Sequence, residues 1–305
     1  MKSVLPLALF WMGFNGVKAL QSPYPPVSDL LSQHAATIAS LKSLTTEMVG
    51  SISEEPYSND VFYLHFCLQD GEKAKESLQK CLEWRVGDQG KVICEAARNA
   101  VAQASPSDAN AWNNQPVLNA APFSNKIANF LNDNVLTTIN PDGGDLVYMI
   151  RAGKIADNDL MSAVTVDQMT DFFLYAKEVN ALVSYQRSMD SNRLCNVLTA
   201  NDLAGVKLVG GSSDFRTALG DSSKVAAVVY PKTINGPTLL CNLPRLLNAL
   251  VKLFTPLFPE SVKARLKFAT LPTLADVETL AVLSTSANTP QRRAFLDELE
   301  TALAS

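Results

Sequence analysis

Residues 230–268 read "YPKTINGPTLLCNLPRLLNALVKLFTPLFPESVKARLKF" and carry the sharpest punctuation in the chain. The β-prone run around Leu239 to Cys241 meets Asn242-Leu243-Pro244, and a proline there denies the ladder a donor and biases the residue before it to extended backbone, so the strand ends. Beyond the break, Leu246, Leu247, Leu250, Val251 and Phe254 cover a wide apolar helical face whose main polar exceptions are Arg245, Asn248 and Lys252. Pro256 and Pro259 terminate it. "ESVKARLKF" then sets Lys263, Arg265 and Lys267 in alternation, a strand-like period and a positive cluster with only Glu260 against it.

The same strand and helix grammar runs upstream. "DLVYMIRAG" (145–153) reads as a strand, "TVDQMTDFFLYAKEVNALVSYQRSMD" (165–190) as a long helix and "LCNVLTAND" (194–202) as a second strand. "KVAAVVYPKTINGPTLLCNL" (224–243) holds the end of a helix, a proline-bearing loop and a further strand. Strands separated by helices predict an α/β sheet with crossover connections, beginning near residue 135.

Before residue 135 the pattern is helical. "SNDVFYLHFCLQDGEKAKESLQKCLEWR" (58–85) predicts two helices separated at Asp70-Gly71, the second placing Ala74, Leu78, Cys81 and Leu82 on one stripe. A third helix fits Lys91 to Ala104, followed by the turn formers of "SPSDANAWNNQP" and "NPDGGD". Trp112 reads either as a surface binding aromatic or as a plug holding the linker to the domain. His65, set among aromatic and aliphatic neighbours, reads as a core or interface histidine, and the only other histidine, His34, as a surface one.

Composition bounds the rest. With 305 residues, 47% of them hydrophobic, the chain has material for a sizeable core, and its net charge of -4 leaves no bulk positive field to attract nucleic acid. Residues 1–19 combine an early lysine, an apolar run from Val4 to Met12 and the small-residue spacing Val17, Ala19, which predicts a signal peptide and passage into the secretory pathway. The final site stays open among secretion, an endomembrane lumen and a plastid reached through that pathway in an alga. Residues 20–57 read as a leader or linker with one helix, and as a second targeting element if the destination is a plastid. Five cysteines, Cys67, Cys81, Cys94, Cys195 and Cys241, match no CxxC spacing and do not form a disulfide framework, one bridge among the first three staying open.

In this order, the helical "EKAKESLQKCLEWR", the strand "GGDLVYMIRAGKI", the central "VLTANDLAGV" and the run from Tyr230 to Phe268 resemble the CRAL-TRIO lipid-binding and lipid-transfer domains, over roughly residues 60 to 268. The Asn-x-Pro at Asn242 and Pro244 matches that family's pattern. Where phosphoinositide-binding members have Tyr-Pro-Glu, this chain has Tyr230-Pro231-Lys232, a base for an acid, and Arg265 falls at or near the later basic position. The resemblance implies a mixed β-sheet flooring a hydrophobic cavity covered by helices, preceded by a small all-helical subdomain (58–134), with the lipid-binding domain and a helical tail over 135–305.

A carrier must shelter from water an acyl chain that has left its bilayer, at about 0.8 kcal/mol per methylene, so a sixteen-carbon chain asks for roughly 13 kcal/mol of burial. The expected cavity lies between sheet residues Val147, Tyr148, Met149, Val197 and Leu198 and helical residues Phe172, Phe173, Leu246, Leu250 and Phe254. Lys232, Lys263, Arg265 and Lys267 are the expected head-group or membrane contacts. The expected partners are a hydrophobic small molecule or phospholipid and a transient membrane surface, for a monomer that needs no nucleic acid, cofactor or metal. A scaffold module with a filled core is the competing reading. An α/β enzyme is the third, resting on Asp202 just beyond a strand, but the Gly143-Gly144 and Gly210-Gly211 pairs form no phosphate loop and no G-x-S-x-G elbow occurs.

Overall fold

Helices dominate the N-terminal half because its apolar residues recur at three- and four-residue spacings. The computed structural model describes residues 24–104, 112–140, 144–206, 211–245, 260–271, 282–283 and 289–304. The signal-like start, the greasy face of Leu246, Leu250 and Phe254, and the apolar run from Leu274 to Leu280 lie outside the described residues.

Among the described residues seven α-helices precede the first strand: α1 (Val27–Gln33), α2 (Ala35–Val49), α3 (Asp60–Asp70), α4 (Ala74–Val86), α5 (Asp88–Ala104), α6 (Gln115–Asn119) and α7 (Ser124–Leu131). The segment read as a leader thus holds two helices, and Val27, Leu30, Ile38 and Leu41 bury their side chains in the main core. The break at Asp70-Gly71 is as the turn chemistry predicts: Gly71 caps α3 at a positive φ of 50°. Trp112 is the plug, fully buried with its Nε1 donating to the Thr137 carbonyl at 2.9 Å.

The sheet has five strands among the described residues, in the order β1 (Val135–Ile139), β2 (Leu146–Arg151), β3 (Val197–Asp202), β4 (Asn235–Cys241) and β5 (Leu266–Ala269). β1 pairs antiparallel with β2 and the remaining pairs are parallel, so the sheet is mixed. Parallel pairs need crossovers. After α8 (Asp157–Ala163), the 26-residue α9 (Val166–Ser191) joins β2 to β3, and α10 (Ser213–Val229) joins β3 to β4. A capping box between Thr165 and Gln168 starts α9, and the Ser212 hydroxyl accepts the Phe215 amide at 3.3 Å to start α10. α11 (Glu260–Lys263) precedes β5, and α12 (Pro290–Ala304) follows it.

Alternation divides the sheet into two faces. Leu136, Val147, Met149, Leu198, Ala200, Leu239 and Cys241 pack on the rear face beneath Phe295, Leu296, Leu299 and Leu303 of α12. Val147, Met149 and Leu198 were expected on the cavity side; α12 instead covers them. The front face carries two rows in register, Tyr148–Thr199–Thr238–Leu266 and Ile150–Asn201–Leu240–Phe268, half-buried except for the exposed Phe268, with α9 and α10 standing over it.

Two local devices hold the carboxyl ends of the strands. Asn242, at a positive φ of 53°, donates through Nδ2 to Asp202 at 3.0 Å and to the Leu271 carbonyl at 3.1 Å, while its Oδ1 accepts the Leu271 amide at 3.0 Å. The Asn of the Asn-x-Pro pattern therefore ties the end of β4 to the last residue of β3 and to the loop after β5. Gly153 lets the loop after β3 pass close, because a Cβ there would meet the Ala204 carbonyl oxygen at 1.9 Å.

His65 is fully buried on α3, its Nδ1 2.7 Å from the Thr233 hydroxyl, and burial depresses its pKa from 6.5 to about 3. The folded protein thus holds this imidazole neutral while the unfolded chain protonates it. Stability supplied by the neutral ring is whole above about pH 6.5 and is lost at about 1.4 kcal/mol per pH unit on acidification towards pH 3. Urea unfolding of the native protein at pH 7 and pH 5 will differ by about 2 kcal/mol more than in His65→Gln; equal differences refute the assignment.

Candidate functional site

Two chambers lie between the front of the sheet and the helices. The first, of about 400 Å³, is bounded by β2, β3, the start of β4, α9 and α10, and the second, of about 440 Å³, by α8, the Gly153 turn and the loop after β3. Tyr148, Ile150, Phe173 and Leu219 line both, so the two spaces adjoin along a shared apolar wall. Voids in a packed core rarely exceed one water, whereas small-molecule sites run from about 300 to 1,000 Å³.

Helical spacing explains why the first chamber is empty of side chains. From α9, Phe173, Ala176, Lys177, Asn180 and Ala181 face it, and from α10, Leu219, Ser222, Ser223, Ala226 and Ala227. Both sets fall at positions i, i+3, i+4, i+7 and i+8, the stripe a helix turns inward. Six of those ten positions are alanine or serine, too short to span the distance to the sheet. The floor is Tyr148, Ile150, Val197 and Thr199.

Its chemistry is apolar with a basic edge. Lys177, Lys232 and Arg265 line the first chamber, and no carboxylate does so among the described residues. Lys177 is exposed on this edge, and burial pushes the Tyr148 phenol well above its ordinary pKa. In the second chamber the acid is Asp157, whose Oδ2 accepts the Ser212 amide at 2.8 Å.

Behind the wall stands a buried ion pair. Arg85 of α4 reaches Glu178 of α9 with two bonds of 2.8 and 2.7 Å, and the Tyr230 hydroxyl, on a chamber-lining residue, donates to the same carboxylate at 2.9 Å. Cys81 and Cys94 accept from the same guanidinium at 3.3 Å each. All five cysteines are free thiols, so no bridge joins Cys67, Cys81 or Cys94.

The residues singled out in the sequence scatter across this geometry. Tyr148 and Phe173 line both chambers, Val197 the first and Phe172 the second. Leu246, Leu250 and Phe254 fall outside the described residues. The basic cluster is split, because Lys263 ends the short helix α11, Arg265 lies in the turn before β5, and only Lys267 is in the strand. Lys263 pairs with Glu260 at 2.8 Å. Lys267 lies opposite Leu239 and so belongs to the rear face, away from the chambers. Arg265 and Lys232 do line the first chamber. Asp202 is the last residue of β3 rather than beyond it, its Oδ1 taken by the Ala204 amide and Asn242. Lys177 and the small residues of α9 and α10 were missed; their inward spacing was the available signal.

A helical N-terminal unit, a mixed sheet and a chamber under two crossover helices define a CRAL-TRIO-like fold. The crystal structure of Sfh5 is similar, at a TM-score of 0.50 and 13% identity over 82% of this chain and 82% of that one, a likeness of fold alone. No family profile matches the sequence, and no curated protein is similar to it.

Proposed function

We propose that the protein binds a lipid or other small hydrophobic molecule in the paired chambers and carries it between membranes. The observation that supports this reading is roughly 400 Å³ of unfilled space on the front of the sheet, walled by Tyr148, Ile150, Phe173 and Leu219 and continuing into a second chamber. A scaffold module has no use for such a volume. Asp157 and Asp202, the acids nearest the strand ends, are committed to backbone amides, which favours a carrier over a catalyst. Among the described residues no helix is long and apolar enough to cross a membrane, and no group of three or more His, Cys, Asp or Glu side chains gathers for a metal.

Docking to an anionic surface would use Lys232 and Arg265, with Lys263 beside them, and the start of the chain would direct it to the secretory pathway. The direct test is native mass spectrometry of the purified protein, followed by vesicle-to-vesicle transfer of whatever co-purifies. A bound apolar molecule and measurable transfer are expected. A protein that stays empty when incubated with vesicles of mixed lipid composition refutes the carrier.

A further inference from the structure

The floor of the first chamber carries polar side chains that the fold itself leaves unused. Thr137, Tyr148 and Thr199 are partners in one row across β1, β2 and β3, so their side chains stand on one face, about 5 Å apart from strand to strand. Asn180 of α9 comes down onto this row. Its Oδ1 accepts the Thr137 hydroxyl at 3.1 Å, which leaves both Nδ2 hydrogens to the chamber that Asn180 lines. Asn180 is only 6% exposed, and its Nδ2, the Tyr148 hydroxyl and the Thr199 hydroxyl have no hydrogen-bond partner among the described residues, although all three residues line the chamber.

The charged groups lie elsewhere. Lys177 and Lys232 are exposed and Arg265 makes other interactions, so the cations stand at the solvated edge while the floor is neutral. In the second chamber the charged lining residue among those described is Asp157, which disfavours an anion there. A wholly apolar guest that displaces solvent from the floor leaves the three polar groups unpaired, a cost that a guest with its own oxygen acceptor escapes. The Asn180 nitrogen can only donate, and the two hydroxyls can each donate as well, so the matching group is an acceptor. Tyr148 also lines the second chamber, and the apolar Ile150, Phe173 and Leu219 run from one space to the other.

Resting on the carrier reading above, we infer that the cargo is an uncharged apolar molecule with a carbonyl oxygen within its length. That oxygen accepts from Asn180 Nδ2 and the Tyr148 hydroxyl, with Thr199 beside them, and the apolar arms on either side of it lie in the two chambers.

The test incubates the full chain with an equimolar mixture of dioctyl ketone, heptadecane and heptadecanoic acid delivered from cyclodextrin, re-isolates the protein and quantifies the bound molecules by mass spectrometry. The native protein will enrich the ketone over the alkane by at least ~10-fold relative to the donor solution, as two hydrogen bonds of ordinary net strength require. Tyr148→Phe, which removes a hydroxyl that no described residue uses, will lower that enrichment about 5-fold. Asn180→Leu will lower it similarly; because this change also strips the Thr137 hydroxyl of its acceptor, urea unfolding accompanies it, and Tyr148→Phe decides if it does not fold. Equal loading of ketone and alkane by the native protein, or an enrichment that survives Tyr148→Phe, overturns the carbonyl subsite and leaves the apolar chambers standing. Acid loaded in preference to ketone also overturns it and moves the head of the cargo to the basic edge. A protein that takes up none of the three overturns the carrier reading itself.

Discussion

Glu178→Ala will lower the free energy of unfolding by about 3–5 kcal/mol, the range for removing one partner of a fully buried ion pair. The side chains of Arg85 and Glu178 are 0% and 1% exposed, so nothing from solvent replaces the missing carboxylate. The variant would leave a guanidinium with two weak thiol acceptors, and a Tyr230 hydroxyl with none. Most of the destabilisation is the desolvated charge left behind rather than the worth of the pair, and this yields a second expectation. Arg85→Met combined with Glu178→Leu, which removes both charges at similar volume, will recover most of the stability. Urea unfolding at pH 7 measures both. A drop below about 1 kcal/mol in the single variant contradicts the burial described for the pair.

The second large effect is on binding. Leu219 lines both chambers although it is 40% exposed, and Thr199 lies half-buried on the floor of the first. The double variant Leu219→Trp, Thr199→Phe puts two aromatic rings into that space. Uptake of an apolar probe will fall at least ~10-fold, equivalent to about 1.4 kcal/mol. Stability discriminates between the two readings of the interior. In a solid core such insertions cost about 1–3 kcal/mol in strain, whereas in a chamber of this size the rings find room and the melting temperature stays within a few degrees. Strong destabilisation with unchanged uptake would contradict the chamber.

The strands around Tyr148, Leu198 and Leu239 and the helix from Val166 were legible because the hydrophobic period switches there and turn formers mark the joins. β1 was not: Val135–Ile139 is buried at every position, so it shows no alternation. The strand-like alternation of Lys263, Arg265 and Lys267 misled because a helical turn precedes β5, which begins only at Leu266. The chamber was illegible for a different reason. A cavity is made by what side chains fail to reach, and Ala176, Ala181, Ser222 and Ala226 read as ordinary helix residues until a second helix and a sheet are set opposite them. The Arg85–Glu178 pair spans 93 positions of sequence, a separation at which no local pattern operates.

The helix at Pro290–Ala304 has a consequence for biosynthesis. Four of the five strands are complete by Cys241, yet Phe295, Leu296, Leu299 and Leu303 reach their rear face only after about fifty further residues have been made. A ribosome-bound or truncated chain ending short of Pro290 therefore displays a sticky sheet surface on its rear side. Such fragments are obvious clients for chaperones, and expression trials that trim this segment should yield insoluble material.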